Sequence, residues 1–485
     1  MRLPTNRTVL ALLLGTWLTV CASAQGARIS RPERLRVVSV HPSPNALNIP
    51  RTTPIRIRFN GPLDPGSLTT GNFEVFGRWS GVHTGQLEFL RNDTVLWFTP
   101  DQSFSAGEQV TIRISPGIGS TLLRPLQRPV TTSFRADSRV STITFTHVGT
   151  LIPGETPYGA YAGDLNDDGN LDMCIPNEDT SDVSVFLNQG NGVYGADTRY
   201  AAGLHCSANE GGDMDGDGDI DFAVSNILDD DMSFLRGNGD GTFQPQVRYA
   251  TGNDPRGLTI IDCDGDGDLD VFTANRLESD VSMFLNDGAG VFASEVSVPG
   301  GVAGEINITM ADVDADGRQD LIVVGQTNDR VRSLISNGDG TFTFGSGIVV
   351  GANPWMVVAG DVDGDGDDDC AVALSGASAV AVARNNGSGD FVSTTSYGVG
   401  SFPIAVDLGD LDGDGDLDLA GSSFSGGNFS LFFNDGLGNF GNPTPLPAIS
   451  TGSCMLFLDF DNDGDVDLAG IDELADRIFL WRQDG

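Results

Sequence analysis

Seven nine-residue segments place oxygen-bearing side chains at nearly every second position. They hold Asp164, Asn166, Asp168, Asn170 and Asp172; Asp213, Asp215, Asp217, Asp219 and Asp221; Asp262, Asp264, Asp266, Asp268 and Asp270; Asp312, Asp314, Asp316, Arg318 and Asp320; Asp361, Asp363, Asp365, Asp367 and Asp369; Asp410, Asp412, Asp414, Asp416 and Asp418; and Asp459, Asp461, Asp463, Asp465 and Asp467. The shared pattern is D-x-[DN]-x-D-G-x-x-D. Carboxylates packed this closely repel one another, so the pattern calls for a cation. Ca²⁺ takes about 6–8 oxygen ligands at ~2.3–2.6 Å. Side chains at positions 1, 3 and 5 can point inward from a tight loop. Gly at position 6 permits the bend, having no Cβ. Position 7 offers a backbone carbonyl, and position 9 supplies a closing carboxylate. Arg318 fits this scheme, because its guanidinium cannot bind a cation but its carbonyl can.

Competing readings of the pattern fail on spacing. An EF-hand needs flanking helices and an acid at position 12. That position here holds Ile175, Val224, Thr273, Val323, Val372, Gly421 and Gly470. Nonapeptide β-helix repeats recur every nine residues or so, whereas these segments start 49 or 50 residues apart. Salt adaptation would spread acids over the whole chain. Residues 141–485 hold 59 acids against 11 Arg, and 34 of those acids fall inside the seven segments. The net charge there is −48, which excludes nucleic acid as a natural partner.

A fixed period of this size signals a repeat architecture. In each unit the acidic loop is followed by a short apolar run, such as LDVFTAN (269–275), and by a polar turn. An alternating run such as VSMFLN (281–286), a Gly-rich turn and an aromatic come next. The aromatics are Tyr194, Phe243, Phe292, Phe342, Phe391 and Phe440, with Phe145 standing before the first loop. The unit predicts four strands: the run before the loop, the run after it, the alternating run and the run holding the aromatic. Four antiparallel strands per unit make a propeller blade. The seventh unit stops in its Gly turn, so residues 143–148 must supply its fourth strand and close the ring. Closure removes two sheet edges that would otherwise seek a partner. Apolar residues at position 2 of the loops pack underneath. Position 8 is apolar in five loops but is Gln319 and Asp368 in the fourth and fifth, which marks those two as weak or distorted.

With these loops on the page, residues 142–485 resemble the FG-GAP/VCBS-type repeat proteins, whose best-known propeller is the integrin α-subunit head. The resemblance implies Ca²⁺, up to seven ions, in the loop between the first and second strands of each blade. It also implies a protein or glycan ligand on the opposite face, built by the 2–3 and 4–1 loops. Here that face includes 177–182, 226–231, 275–280, 327–330 and 472–477. The literal FG-GAP signature is absent, and PYGAYAGD (157–164) is its nearest trace. At ~1 mM Ca²⁺ and a Kd of ~0.1 mM, each site would add about 1.4 kcal/mol. Seven sum to roughly 10 kcal/mol, the stability of a typical domain.

Residues 35–137 lack acidic loops. With residues 25–140 holding 14 Arg against 8 acids, this end of the chain is basic. IRIRF (55–59), VLWFTP (95–100), QVTIRIS (109–115) and TTSFRA (131–136) read as strands. About seven short strands fit an Ig-like β-sandwich, and the segment resembles the bacterial Ig-like domain of S-layer and surface proteins. Trp79 and Trp97 read as core or sheet-face residues. Ser138–Thr142 is a short linker that keeps the two domains close. The fold class is therefore all-β: a seven-bladed β-propeller preceded by an Ig-like β-sandwich.

Residues 1–24 read as a signal peptide, with Arg2 and Arg7, an apolar run Val9–Val20 and an Ala22-Ser23-Ala24 cleavage site. Cys21 carries a faint lipoprotein box. No later segment is long and apolar enough for a transmembrane helix, so a secreted or cell-surface location is expected. Cys174, Cys206, Cys263, Cys370 and Cys454 read as small buried residues, with Cys174–Cys206 open as a disulfide. Four scattered His and the lack of HExxH, GxSxG or P-loop motifs argue against an enzyme. The reading is a calcium-stabilised binding or adhesion protein. The alternatives are a carbohydrate-active enzyme using carboxylates in the central funnel, and a structural surface-layer component.

Overall fold

The computed structural model describes residues 33–69, 71–141 and 143–483. The signal segment and Cys21 lie outside them. At the N-terminal end, one sheet runs in the order Val37–His41, Ile55–Phe59, Val95–Pro100, Gly85–Leu90. The second runs Ala46–Ile49, Val130–Ala136, Gln109–Ile114, Phe73–Gly77, Gly81–Val82. Strict alternation in Ile55–Phe59 sends Ile55, Ile57 and Phe59 inward and both arginines out. They meet Val75, Val110 and Ile112 of the second sheet in one core. Nine strands appear among the described residues of this domain where the sequence suggested about seven, because pairings as short as Gly81–Val82 leave no run of β-prone residues to read.

Residues 145–483 form seven further sheets among the described residues. Each contains four strands in simple antiparallel order, and the fourth adds a two-residue strand, Ile348–Val349. In the third, the strands are Pro255–Ile261, Asp270–Asn275, Asp280–Phe284 and Val296–Val298. First strands of successive sheets contact one another around a ring, and Tyr161–Gly163 contacts Met455–Leu458 to close it. This is a propeller, with the first strands innermost. The second strands are buried along their whole length. Phe145–Leu151 pairs with Arg477–Gln483, so a strand from the start of the domain completes the last blade.

Phe342 and Phe145 begin fourth strands as expected. Elsewhere the register differs: Tyr194, Phe243 and Phe292 make isolated bridges, and the fourth strands begin several residues later, at Thr198, Val247 and Val296. Phe243, Phe292 and Phe440 are wedges between blades. Phe243 meets Tyr200 of the preceding blade edge-on at 5.5 Å, Phe292 meets Tyr249 at 5.2 Å and Phe440 meets Tyr397 at 5.1 Å. Edge-to-face packing at these distances adds to the area the rings bury.

A second inter-blade device lies 24 residues after the start of five of the seven loops. Asn286 Nδ2 donates to Leu269 O of its own blade at 3.0 Å and to Met214 O of the preceding blade at 2.6 Å. Asn188, Asn385, Asn434 and Gln483 repeat this, with Asn188 bridging the first blade to the seventh through Phe460 O. These amides staple neighbouring blades beneath the loops. Replacing Asn385 by Ala strands two carbonyls, Val313 O and Asp368 O, in the buried seam. Urea unfolding of Asn385→Ala is expected to show a loss of about 1–3 kcal/mol; a change below ~0.5 kcal/mol would contradict the staple.

Candidate metal centres

Each acidic loop folds through its own carboxylates. At position 1, Asp262 Oδ1 accepts from Gly265 N at 2.8 Å and Oδ2 from Gly267 N at 3.1 Å. Position 3, Asp264 Oδ1, accepts from Asp266 N at 3.2 Å, and position 5, Asp266 Oδ1, accepts from Asp268 N at 3.1 Å. The chain thereby winds tightly and turns its oxygens inward. Gly267 at position 6 sits at φ +107, where a Cβ would be strained. The position-6 bond recurs around Asp164, Asp213, Asp312, Asp361 and Asp459. Oδ1 takes the position-4 N–H in the second, third, fifth and sixth loops and the position-5 N–H in the first, fourth and seventh.

Position 9 ties the loop to the blade. Asp270 Oδ1 accepts from Asn286 N at 2.9 Å and Oδ2 from Cys263 N at 3.0 Å. All seven position-9 residues take the first of these bonds. These residues are at most 1% exposed. Burial pushes Asp270 and Asp320 up to about 7, Asp221 and Asp418 to about 8, and Asp467 to about 9. Neighbouring carboxylates push in the same direction. An anion in these positions without a cation is therefore costly.

The residues brought together fit a metal. Carboxylate oxygens of Asp213, Asp215 and Asp221 lie within 4.8 Å of one another, as do those of Asp262, Asp264 and Asp270, and of Asp410, Asp412 and Asp418. In the fourth and fifth loops the converging sets are Asp312, Asp314, Asp316 and Asp361, Asp363, Asp365. Asp363 Oδ1, Asp416 Oδ1 and Asp465 Oδ1 are buried with no hydrogen-bond partner. Oxygen-only sets of this kind suit a hard cation. Position 7 does not contribute a side chain in the fourth loop: Arg318 Nε donates to Ser336 O at 3.0 Å and its guanidinium pairs with Asp316.

The fourth and fifth loops, expected to be distorted, keep hydrogen bonds of the others, but their converging carboxylates are those of positions 1, 3 and 5, where the second, third and sixth loops bring together positions 1, 3 and 9. Their unusual position-8 residues point elsewhere. Asp368 lines a cavity on the propeller axis, and Gln319 lines a smaller pocket beside it. The residues that depart from the loop pattern also line the interior.

The basic N-terminal domain docks on the acidic loop face. Arg139 Nη2 lies 3.1 Å from Asp465 and 3.6 Å from Asp463, and Arg51 Nη1 lies 3.8 Å from Asp459 Oδ2. Ser138 Oγ donates to Asp410 Oδ2 at 3.0 Å, Thr131 N to Gly317 O at 2.7 Å, and Asp164 N to Trp79 O at 2.7 Å. Trp79, read from sequence as a core or sheet-face residue, packs into the propeller with Ala162, Met173 and Leu458. Glu108 holds it there by accepting from Trp79 N and Ser80 N, both at 3.0 Å. Ser80 Oγ also meets His83 Nε2 at 2.7 Å, but the carboxylate of Glu108 bonds the serine rather than the imidazole. That is a stitch in the docking turn, not the acid–imidazole–nucleophile order of a triad. The five cysteines are buried, as read from the sequence, and the pairing left open is not made: Cys174 and Cys206 are both free, with no disulfide among the described residues. Asn177, Asn226 and Asn275, placed by resemblance on the ligand face, are wholly buried and hold their turns through Asp182, Asp231 and Asp280.

Comparison with known proteins agrees with this geometry. A model of the FG-GAP-like repeat matches five overlapping segments, residues 213–273, 262–323, 312–372, 361–421 and 410–470. Together they span more than half of the chain and take in six of the seven loops. A bacterial Ig-like domain model matches residues 32–136. No curated protein matches the chain. Among solved structures, BBS1N in its complex with ARL6DN aligns at a TM-score of 0.52 and 12% identity, over 70% of this chain and 97% of that one. The likeness is one of fold. An Agrocybe aegerita lectin that recognises non-reducing terminal N-acetylglucosamine aligns at 0.42 and 18%, over 84% and 97% of the two chains. A functionally unknown protein from Desulfotomaculum acetoxidans aligns at 0.44 and 12%, over 61% and 90%. The chain belongs to the FG-GAP-like repeat proteins and carries a bacterial Ig-like domain at its N-terminal end.

Proposed function

We propose that this is a secreted or cell-surface, calcium-binding repeat protein that acts as a non-enzymatic binding or adhesion module. The observation that carries the reading is the convergence of three carboxylates in each of five loops, the second to the sixth, with an orphaned side-chain oxygen at Asp363 in position 3. Positions 1, 3, 5 and 9 would hold each ion through side chains, and position 7 through its carbonyl. The ion would supply the positive charge that lets these aspartates stay ionised inside the fold. Because the N-terminal domain covers the loop face, a partner is left with the opposite one. Leu228, Leu277 and Leu474 stand 65–70% exposed at 2–3 turns there, where a partnerless turn favours polar residues. No helix among the described residues is long and apolar enough to cross a membrane, and the Ig-like domain fits a surface protein.

Calcium is expected to raise the melting temperature of the chelator-stripped mature protein by well over 10 °C, given the roughly 10 kcal/mol available. The double variant Asp264→Asn, Asp266→Asn should bind one ion fewer in calorimetric titration. Equal melting in calcium and in chelator would overturn the reading.

The metal-free protein should also respond to pH in an unusual direction. Burial holds its position-9 carboxyls at about 7 to about 9 when folded, against an ordinary 3.8. The folded state therefore holds protons that the unfolded state has released. That contribution is complete below pH 3.8 and is lost as pH rises through about 9. The melting temperature without metal is expected to fall from pH 5 to pH 9, and saturating calcium should abolish the fall. A metal-free protein that gains stability over this range would contradict the burial of these acids.

A further inference from the structure

The propeller axis holds a cavity of about 190 Å³, built by both domains. Arg78, Trp79 and Arg135 close it from the loop face. At the other end, Trp355 Nε1 donates to Tyr158 Oη at 2.7 Å, a bond from the fifth blade to the first. Both residues precede or begin inner strands, so they stand at the rim opposite the N-terminal domain. Phe402 lies beside Trp355 with ring centroids 5.9 Å apart and remains 36% exposed. Its φ of +57 is one that a bulky side chain adopts only at a cost. The strained backbone holds an aromatic ring at the rim.

The lining contains polar groups without partners. Ser207 is 1% exposed, and its Oγ has no hydrogen-bond partner. Asn209 Nδ2, also buried, has none. Both residues line the cavity. Buried polar atoms of this kind are rare unless something fills the space beside them.

Charge selects the occupant. Arg78 is paired with Glu210 at 3.2 Å, and Arg256 with Asp254 at 2.8 Å. Arg135 and Asp407 attract each other across the base. With Asp368 also in the lining, three arginines face three carboxylates, Glu210, Asp368 and Asp407, so no surplus of either sign remains to favour an anion or a cation, yet donors and acceptors are both plentiful. An uncharged polyol uses both. Size agrees: an engineered cavity of about 150 Å³ binds benzene, and the space here is somewhat larger. Indole and phenol rings at the rim suit the apolar face of a sugar ring.

We propose that this axial cavity is a saccharide site that takes one uncharged pyranose unit, entered past Trp355 and Phe402 and read by Ser207 and Asn209. The proposal rests on the binding-module reading above and names its ligand class and place.

The test uses the full mature chain in calcium and, as probes, the methyl pyranosides of glucose, galactose, mannose and N-acetylglucosamine, with glucuronate as the charged control. At least one neutral glycoside should bind saturably by calorimetry and shift the Trp355 indole N–H resonance, assigned through Trp355→Phe. Ser207→Val should weaken that binding at least about tenfold while leaving the melting temperature unchanged. Should that variant fail to fold, the indole shift in the unaltered protein decides. Absence of saturable binding, binding that leaves the indole resonance in place, or preference for glucuronate would each overturn the site. A protein that calcium stabilises but no glycoside binds would sink the cavity proposal alone; one that calcium does not stabilise would sink the underlying reading.

Discussion

The carboxylate at position 9 of every loop accepts a hydrogen bond from the backbone N–H sixteen residues further on, at the end of the third strand. This bond places an aspartate in the interior of the blade, among the other carboxylates of its own loop. Like charges confined within a few ångströms need a counter-charge, and the molecule provides for it at three levels. Backbone N–H groups of the loop turn toward positions 1, 3 and 5. Guanidinium groups approach from outside, with Arg236 on Asp215 and Arg384 on Asp369. The converging oxygens are themselves suited to a divalent cation.

The N-terminal domain belongs to the same electrostatic scheme. It is basic where the loops are acidic, and it sits on them. Its Arg139 reaches two position-5 and position-7 carboxylates of the seventh loop, and its Trp79 turn enters the end of the axis. Docking therefore does two things at once. It covers the most repulsive face of the propeller and seals one end of the axial cavity, leaving the other face uncovered.

Much of this was legible in the sequence because it is local and repeated. The period of 49 or 50 residues and the D-x-[DN]-x-D-G-x-x-D loops each leave a pattern on the chain. Features that depend on contact between distant segments were harder to read. Phe243, Phe292 and Phe440 looked like strand residues because they follow a Gly turn; their role as wedges appears only when the next blade is beside them. The staple amides of Asn188, Asn286, Asn385 and Asn434 did carry a signal, a fixed offset from the loop, but their purpose lies in carbonyls of another blade. Gln319 and Asp368 looked like faults in a ligand set, since nothing in the repeat reveals which side chains face the axis. The two-domain cavity left no trace in either domain's own pattern.

The central claim is that each acidic loop is a metal cradle. An anomalous difference map from crystals of the mature protein grown in calcium tests it most directly. The account predicts a peak inside each of the seven loops, surrounded by oxygens of positions 1, 3, 5, 7 and 9. A map without peaks at those centres, from crystals in which the loops keep the same hydrogen bonds, would contradict it.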